Sequence, residues 1–312
     1  MAGLFDKQPS LRFNQRITKF DRQHALNGTP AQKYAFMENV AINVDSFQNA
    51  RDFIDALLMR TTRAKRPGGL WIVGEGGVGK SFILADLINR YPQMDTDVAR
   101  ITPVLGISFE ERPSVSSILI ELLIQLGQDP QLIHYRRNAD LQRMLIDALP
   151  SCGTMAIFFD EAQHLWLTAR SRKSLDRKGG ALGDFIKQLY DKTHVAFIFC
   201  GTPGLTEIFK EDSQANTRWS GTLQLKSFNY DSVFIGLLKV LDQAAPLREE
   251  CGLAKNYAEK LYQSTRGNFR LLKRLLAEAV YIAAMQDADK LSAEHLAEAH
   301  FGIFCDQENP FK

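Results

Sequence analysis

Gly74–Glu75–Gly76–Gly77–Val78–Gly79–Lys80–Ser81 is the stretch on which the reading of this chain turns. It satisfies the pattern GxxxxGK[ST], in which a glycine-rich loop wraps its backbone N–H groups around phosphate oxygens. Glycines allow φ values and close approaches that a side chain would block. Lys80 can set its charge against β- and γ-phosphates, and the Ser81 hydroxyl can ligate Mg²⁺. The helix that follows aims the positive end of its dipole at the same anion. The flanks agree with this reading: a buried strand is expected at Leu70–Val73 and a helix at Lys80–Arg90. Gly74, Glu75, Gly76, Gly77, Val78, Gly79, Lys80 and Ser81 are therefore the candidate nucleotide-binding residues, with ATP and Mg²⁺ as the cofactors.

Outward from this loop, apolar strand runs alternate with helices. Strands are expected at Ile101–Ser108, Met155–Asp160 and Val195–Cys200, and a last one near Leu223–Leu225. Helices are expected at Val115–Leu126, about Asp140–Leu149, and Ala181–Tyr190. With Leu70–Val73 this makes a parallel five-stranded sheet covered by helices on both faces, an α/β fold. Upstream, Phe47, Phe53, Ile54, Leu57 and Leu58 fall at helical spacing between Val44 and Met59. From about residue 227 the pattern is helical only: Ser232–Gln243, Lys255–Gln263, Asn268–Gln286 and Ala293–Phe301. The expected organisation is an N-terminal arm with a short helix over residues 1–43, an α/β domain over 44–226, and a small all-helical domain with a short tail over 227–312.

Met155–Ala156–Ile157–Phe158–Phe159–Asp160–Glu161 is a hydrophobic strand ending in two carboxylates. Downstream of a phosphate loop, Asp160 is the candidate for the Mg²⁺ shell, with Ser81. Glu161 is then the candidate that orients and activates the attacking water. Asp160–Glu161–Ala162–Gln163 also invites comparison with DEAD/DEAH-box helicases, but the second α/β domain of such a motor has no room here. Val195–Cys200 runs into Gly201–Thr202–Pro203–Gly204, which places Thr202 as a sensor beside Asp160. Arg218, shortly before the last strand, stands where ring ATPases place an arginine that reaches a neighbour's γ-phosphate. Arg270, opening a helix of the helical domain, is the candidate second sensor. An arginine suits both roles because its charge is fixed and its fork matches phosphate oxygens.

Composition narrows the classes. Hydrophobic residues make up 45% and charged residues 24%, and the formal net charge is only +2, so any DNA contact must rest on local charge. Cys152, Cys200, Cys251 and Cys305 are scattered, with no spacing of a disulfide framework or zinc site. No stretch approaches the roughly 20 apolar residues of a membrane span, and the chain reads as cytoplasmic. Phe158, Phe159 and Trp71 read as core, and Asp306–Lys312 as a frayed end or a docking peptide.

Taken together, Gly74–Ser81, Phe158–Leu165, Phe199–Pro203 and a short helical segment after Arg218–Trp219 resemble the AAA+ transposition-regulator ATPases, the TniB, TnsC and MuB group. The resemblance covers roughly residues 40–300 and extends to the TnsC proteins of CRISPR-associated transposons. It implies an AAA+ P-loop fold with a helical lid, and a slow, regulatory ATPase. It also implies self-assembly as rings or filaments on duplex DNA without sequence preference, target marking, and recruitment of a transposase, with a TniQ-type adaptor as a further partner. Hydrolysis would control disassembly. By the same resemblance the DNA-facing positions are Arg112 in Glu110–Ser114 and Arg136 and Arg137 in His134–Asn138. The densest basic cluster, with Arg172 and Lys173, could line a ring pore or contact a neighbouring subunit. Other readings remain open at this point: a motor coupling fast hydrolysis to translocation, or an ATP-dependent assembly factor of the secretion or replication-initiator kind.

Overall fold

Central strands buried on both faces need apolar side chains in unbroken runs, whereas an edge strand can alternate, and the chain supplies five strands of these two kinds. In the computed structural model, which describes residues 12–13, 22–97, 100–109, 113–167, 180–211, 217–305 and 308–312, they form one sheet. We number them β1 (Gly68–Val73), β2 (Val104–Ser108), β3 (Ala156–Asp160), β4 (Ala196–Gly201) and β5 (Gly221–Gln224). Their spatial order is β2-β3-β4-β1-β5, and every neighbouring pair is parallel. The strands β3 and β4 are buried along their whole length, whereas β5, at the edge, alternates between half-buried and exposed. β2 is shorter than expected. Arg100–Ile101 instead pairs antiparallel with Met94–Asp95, and Pro103, which has no N–H to give a ladder, separates the two pieces.

The chain divides into two compact units: residues 49–76 with 80–225, and residues 1–48 with 77–79 and 226–312. The first contains the sheet. Its core includes Trp71, Phe159, Phe197, Phe199 and Trp219 from the sheet side, packed with Leu119, Leu122, Leu145 and Ile186 from the helices. Trp71 and Trp219 meet edge to face at 5.8 Å, and the Trp71 indole N–H donates to the Trp219 carbonyl. Helix Lys80–Arg90 is fastened to helix Asp45–Ala64 through Asp86, a buried carboxylate. Asp86 accepts from Arg51 Nε at 2.8 Å and Arg90 Nε at 2.9 Å, and Arg90 also reaches Asp55. Short helices at Pro130–Ile133, His164–Leu167 and Gly204–Glu211 complete this unit, none of them expected from periodicity because each is under three turns.

The second unit is helical, built from Ser232–Ala244, Ala258–Thr265, Phe269–Met285 and Ala293–Phe304. The segment expected to be a separate arm is, from residue 22 on, part of this unit. Helix Pro30–Glu38 starts on a Thr29–Gln32 capping box, and its Phe36 and Met37 are fully buried with Val40, Ile42, Leu272 and Leu275. Lys273 Nζ donates to the carbonyls of Glu38 and Val40, capping that helix, and Arg22 donates to the carbonyls of Ala245 and Leu247. Breakers at Gly28 and Pro30 hide this packing from a periodicity reading, because each apolar run is too short to stand alone. The tail is not frayed at its end: Phe311 is buried against the same core and meets the His300 ring at 6.0 Å.

Candidate active site

The loops that leave the C-terminal ends of β1, β3 and β4 meet because those strands are neighbours in register. Val73 lies opposite Gly201, and β3 runs beside β4 on its other side. This is the edge of a parallel sheet at which ligands of such folds bind. The Gly74 N–H continues the β1–β4 ladder by donating to Gly201 O at 3.1 Å, so the phosphate loop springs from a fixed point. Gly77 and Gly79 have φ of +84° and +102°, a region that side chains rarely adopt. Lys80 is buried, and its ammonium donates to the carbonyls of Gly74 at 2.8 Å and Glu75 at 2.7 Å. The lysine thus folds back over its own loop, holding its charge among oxygens where an anion would sit.

Ser81 Oγ donates to Asp160 Oδ2 at 3.2 Å, and the other carboxylate oxygen accepts from the Glu161 N–H at 2.9 Å. Two hard oxygen donors on facing elements suit Mg²⁺, which takes one or two protein ligands and keeps the rest for water and phosphate. Glu161 has φ of +51° although it is not glycine. Residues held in this region cost about 1–3 kcal/mol and cluster at functional sites. Gln163, which sequence reasoning did not single out, explains how the turn is used. Its amide nitrogen donates to Glu161 Oε2, and its amide oxygen accepts from the Thr202 N–H at 3.2 Å. The side chain therefore bridges the ends of β3 and β4 and aims the Glu161 carboxylate. The available signal was the i, i+2 spacing of two polar residues directly after a strand ending in Asp. Cys200, one residue inside β4, is buried beside Asp160; burial, then that carboxylate's charge, pushes its thiol well above the ordinary range.

Arg218 forms a two-pronged ion pair with Asp191, Nε to Oδ1 at 3.0 Å and Nη2 to Oδ2 at 2.9 Å. Arg270 opens helix Phe269–Met285, whose N-cap is Asn268, and its backbone N–H donates to Gly77 O at 3.2 Å. Thr202 is exposed at the exit of β4. Arg136 and Arg137 are exposed in the turn before helix Asn138–Ser151. Arg112, Arg172 and Lys173 lie outside the described residues.

The sequence profile of the bacterial TniB protein family matches residues 33–229, more than half of the chain. The chain belongs to the TniB family. No curated protein sequence matches it. Among solved structures, the TniB chain resembles the ORC2 protein of Aeropyrum pernix in ADPNP and ADP complexes, with a TM-score of 0.59 at 15% identity over 84% of this chain and 68% of that one. It resembles the ORC1 protein of Aeropyrum pernix in complex with DNA at a TM-score of 0.58, 16% identity, and 83% and 64% coverage. Cdc6p from Pyrobaculum aerophilum gives a TM-score of 0.56 at 16% identity, with 81% and 65% coverage. This TniB chain thus spans about two thirds of the length of each of these proteins, and at such identities the likeness speaks for the fold, which is AAA+. A TniB sequence with an intact phosphate loop and an Asp–Glu strand end on that fold is a nucleotide-binding AAA+ ATPase. Among the described residues of the TniB chain, no helix is long and apolar enough to cross a membrane.

Proposed function

We propose that this TniB chain is an ATP-switched regulator of DNA transposition, assembling on duplex DNA and hydrolysing ATP slowly to come apart. The observation that carries the catalytic half is the approach of Ser81 to Asp160, with the adjacent Glu161 carboxylate held by Gln163. Family membership carries the transposition half. Lys80 exchanges the carbonyls of Gly74 and Glu75 for the β- and γ-phosphates of ATP, and the loop amides with Gly77 and Gly79 close around them. Ser81 and Asp160 hold Mg²⁺, which offsets the charge of the phosphate oxygens when bound. Glu161 orients and deprotonates the attacking water, and Thr202 reports the γ-phosphate to Gln163. Arg270 serves as second sensor.

Arg218 acts on the nucleotide of a neighbouring copy. In the single chain Asp191 holds it, but both groups are partly solvated, with side-chain exposures of 28% and 49%. Exchanging such a pair for a phosphate costs only about 0–1 kcal/mol. The γ-phosphate then joins copies into a ring or filament, and hydrolysis releases them. Arg136 and Arg137 bind DNA phosphates, which supplies affinity without reading bases. A transposase and a TniQ-type adaptor are the partners that such an assembly would recruit.

The test is binding to random-sequence duplex DNA with ATP, a non-hydrolysable analogue, or no nucleotide, viewed in parallel by negative-stain microscopy. Rings or filaments that need both nucleotide and DNA are expected. Arg218→Ala should bind ATP normally and fail to assemble; normal assembly by that variant refutes the role of Arg218. Absence of DNA binding under every condition refutes the transposition reading and leaves the ATPase standing.

A further inference from the structure

The turn between the short helix Pro130–Ile133 and helix Asn138–Ser151 is built to present side chains rather than to bury them. Ile133 is fully buried in the core of the sheet-containing unit and anchors the turn. The backbone on either side of the tip is tied locally. The N–H groups of His134 and Arg136 donate to Pro130 and Ile133, and those of Asp140 and Leu141 both donate to Arg137. The Asp129 carboxylate caps the short helix through the Gln131 N–H. Between these ties, His134, Tyr135, Arg136, Arg137 and Asn138 are all exposed, and Tyr135 is exposed to 93%. The Tyr135 ring stands nearly perpendicular to that of His134, at 6.0 Å between centroids, and the Arg136 guanidinium Nε bonds back to Leu132 O.

A tyrosine held out this far contributes nothing to the fold, yet its backbone is fixed and its neighbours are cationic. An aromatic face flanked by arginines suits nucleic acid. The arginines neutralise phosphates while the ring wedges between neighbouring bases at an opened step of the duplex, which any sequence can offer. Asp140 pairs with Arg143 at 2.5 Å, and Arg136 and Arg137 together outweigh the one remaining carboxylate, Asp129, which caps the short helix. The charge left on the tip is positive.

We propose that Tyr135 stacks on a nucleobase at a base step of the bound DNA, with Arg136 and Arg137 on the flanking phosphates. This rests on the reading that the chain binds DNA, and it adds a contact that salt does not screen. Phosphate contacts weaken steeply with ionic strength, whereas stacking does not. The two kinds of residue therefore separate in a salt titration.

The experiment uses the full chain with a non-hydrolysable ATP analogue and Mg²⁺, and a random-sequence duplex carrying 2-aminopurine in place of scattered adenines. Affinity is measured by anisotropy between about 50 and 200 mM salt, the range over which phosphate contacts are lost. Tyr135→Ala is expected to weaken binding roughly 5-fold, the low end for a stacked aromatic because opening the base step takes back part of the gain, with the salt slope unchanged. Tyr135→Phe keeps the affinity. Arg136→Ala lowers the salt slope by about 1. At saturation, the 2-aminopurine signal changes on binding wild type and Tyr135→Phe but not Tyr135→Ala. The residue is so exposed that its variants fold, which circular dichroism checks. Tyr135→Ala binding within twofold of wild type at every salt, with the same 2-aminopurine response, overturns the stacking role and leaves DNA binding in place. Failure of the wild type to bind any duplex overturns both.

Discussion

Asp86 offers the sharpest test of how the nucleotide loop is held. It lies on helix Lys80–Arg90, which begins with two of the site residues, and its side chain is only 2% exposed. It accepts from Arg51 Nε at 2.8 Å and Arg90 Nε at 2.9 Å, with a further contact from the second Arg51 nitrogen. Removing one partner of a buried ion network typically costs about 3–5 kcal/mol, because the opposite charge keeps its burial and loses its compensation. The arginine side chains are 18% and 24% exposed, and Arg90 retains Asp55, so Asp86→Ala belongs at the low end, about 3 kcal/mol. With a urea slope of about 2 kcal/mol/M, the unfolding midpoint should fall by roughly 1.5 M. Tryptophan fluorescence reads this unit, because Trp71 and Trp219 are both in its core. Combining Asp86→Ala with Arg51→Met should cost much less than the sum of the two single changes, since the arginine charge goes with its partner. A midpoint shift under about 0.3 M, or strict additivity of the pair, would refute the reasoning.

Three further outcomes are expected. Gln163→Leu should lower kcat by about 10- to 100-fold with nucleotide affinity near wild type, because it misaims Glu161 without touching the phosphate loop; steady-state hydrolysis and a fluorescent-nucleotide titration check this, and an unchanged kcat counts against the bridging role. Gly267→Ala should destabilise the helical unit by more than about 2 kcal/mol, since φ there is +70° and the new Cβ would lie 1.9 Å from the Phe228 carbonyl oxygen; thermal unfolding followed by circular dichroism is the assay. Burial, opposed by Glu38 and reinforced by Arg270, lowers the Lys273 ammonium from 10.5 to about 8. Between those values the unfolded chain binds more protons than the folded one, so this group's contribution to stability rises with pH across that window and is least favourable below about 8. The stability of wild type relative to Lys273→Met should therefore rise from pH 7.5 to 10; parallel pH profiles would count against it.

Four of the strands and the loop between Val73 and Lys80 were legible because parallel strands buried on both faces leave apolar runs, and phosphate binding restricts residue types tightly; the edge strand, Gly221–Gln224, leaves no such run. Asp160 and Glu161 were legible for the same reason, at the end of such a run. Three features were not. The packing of residues 22–48 into the helical unit depends on short runs around Phe36 and Val40 whose partners, Leu272 and Leu275, are more than 200 positions away. Gln163 acts through side-chain geometry that only the adjacency of β3 and β4 creates. Asp191 has no sequence mark as the partner of Arg218, since an aspartate near a helix end is usually a solvated charge.

The bridge made by Gln163 carries a consequence for how this position can change over generations. One amide gives a hydrogen to Glu161 and takes one from Thr202, so a replacement must do both from a single planar group. A single-base change in a glutamine codon leads to glutamate, lysine, arginine, leucine, proline, histidine or a stop. Glutamate would face Glu161 charge to charge, lysine and arginine cannot accept, and leucine and proline have no polar group to offer. Only the histidine ring keeps both a donor and an acceptor. Drift at this codon therefore passes through one narrow gate, and lineages that lose the amide should be found at histidine before anything else.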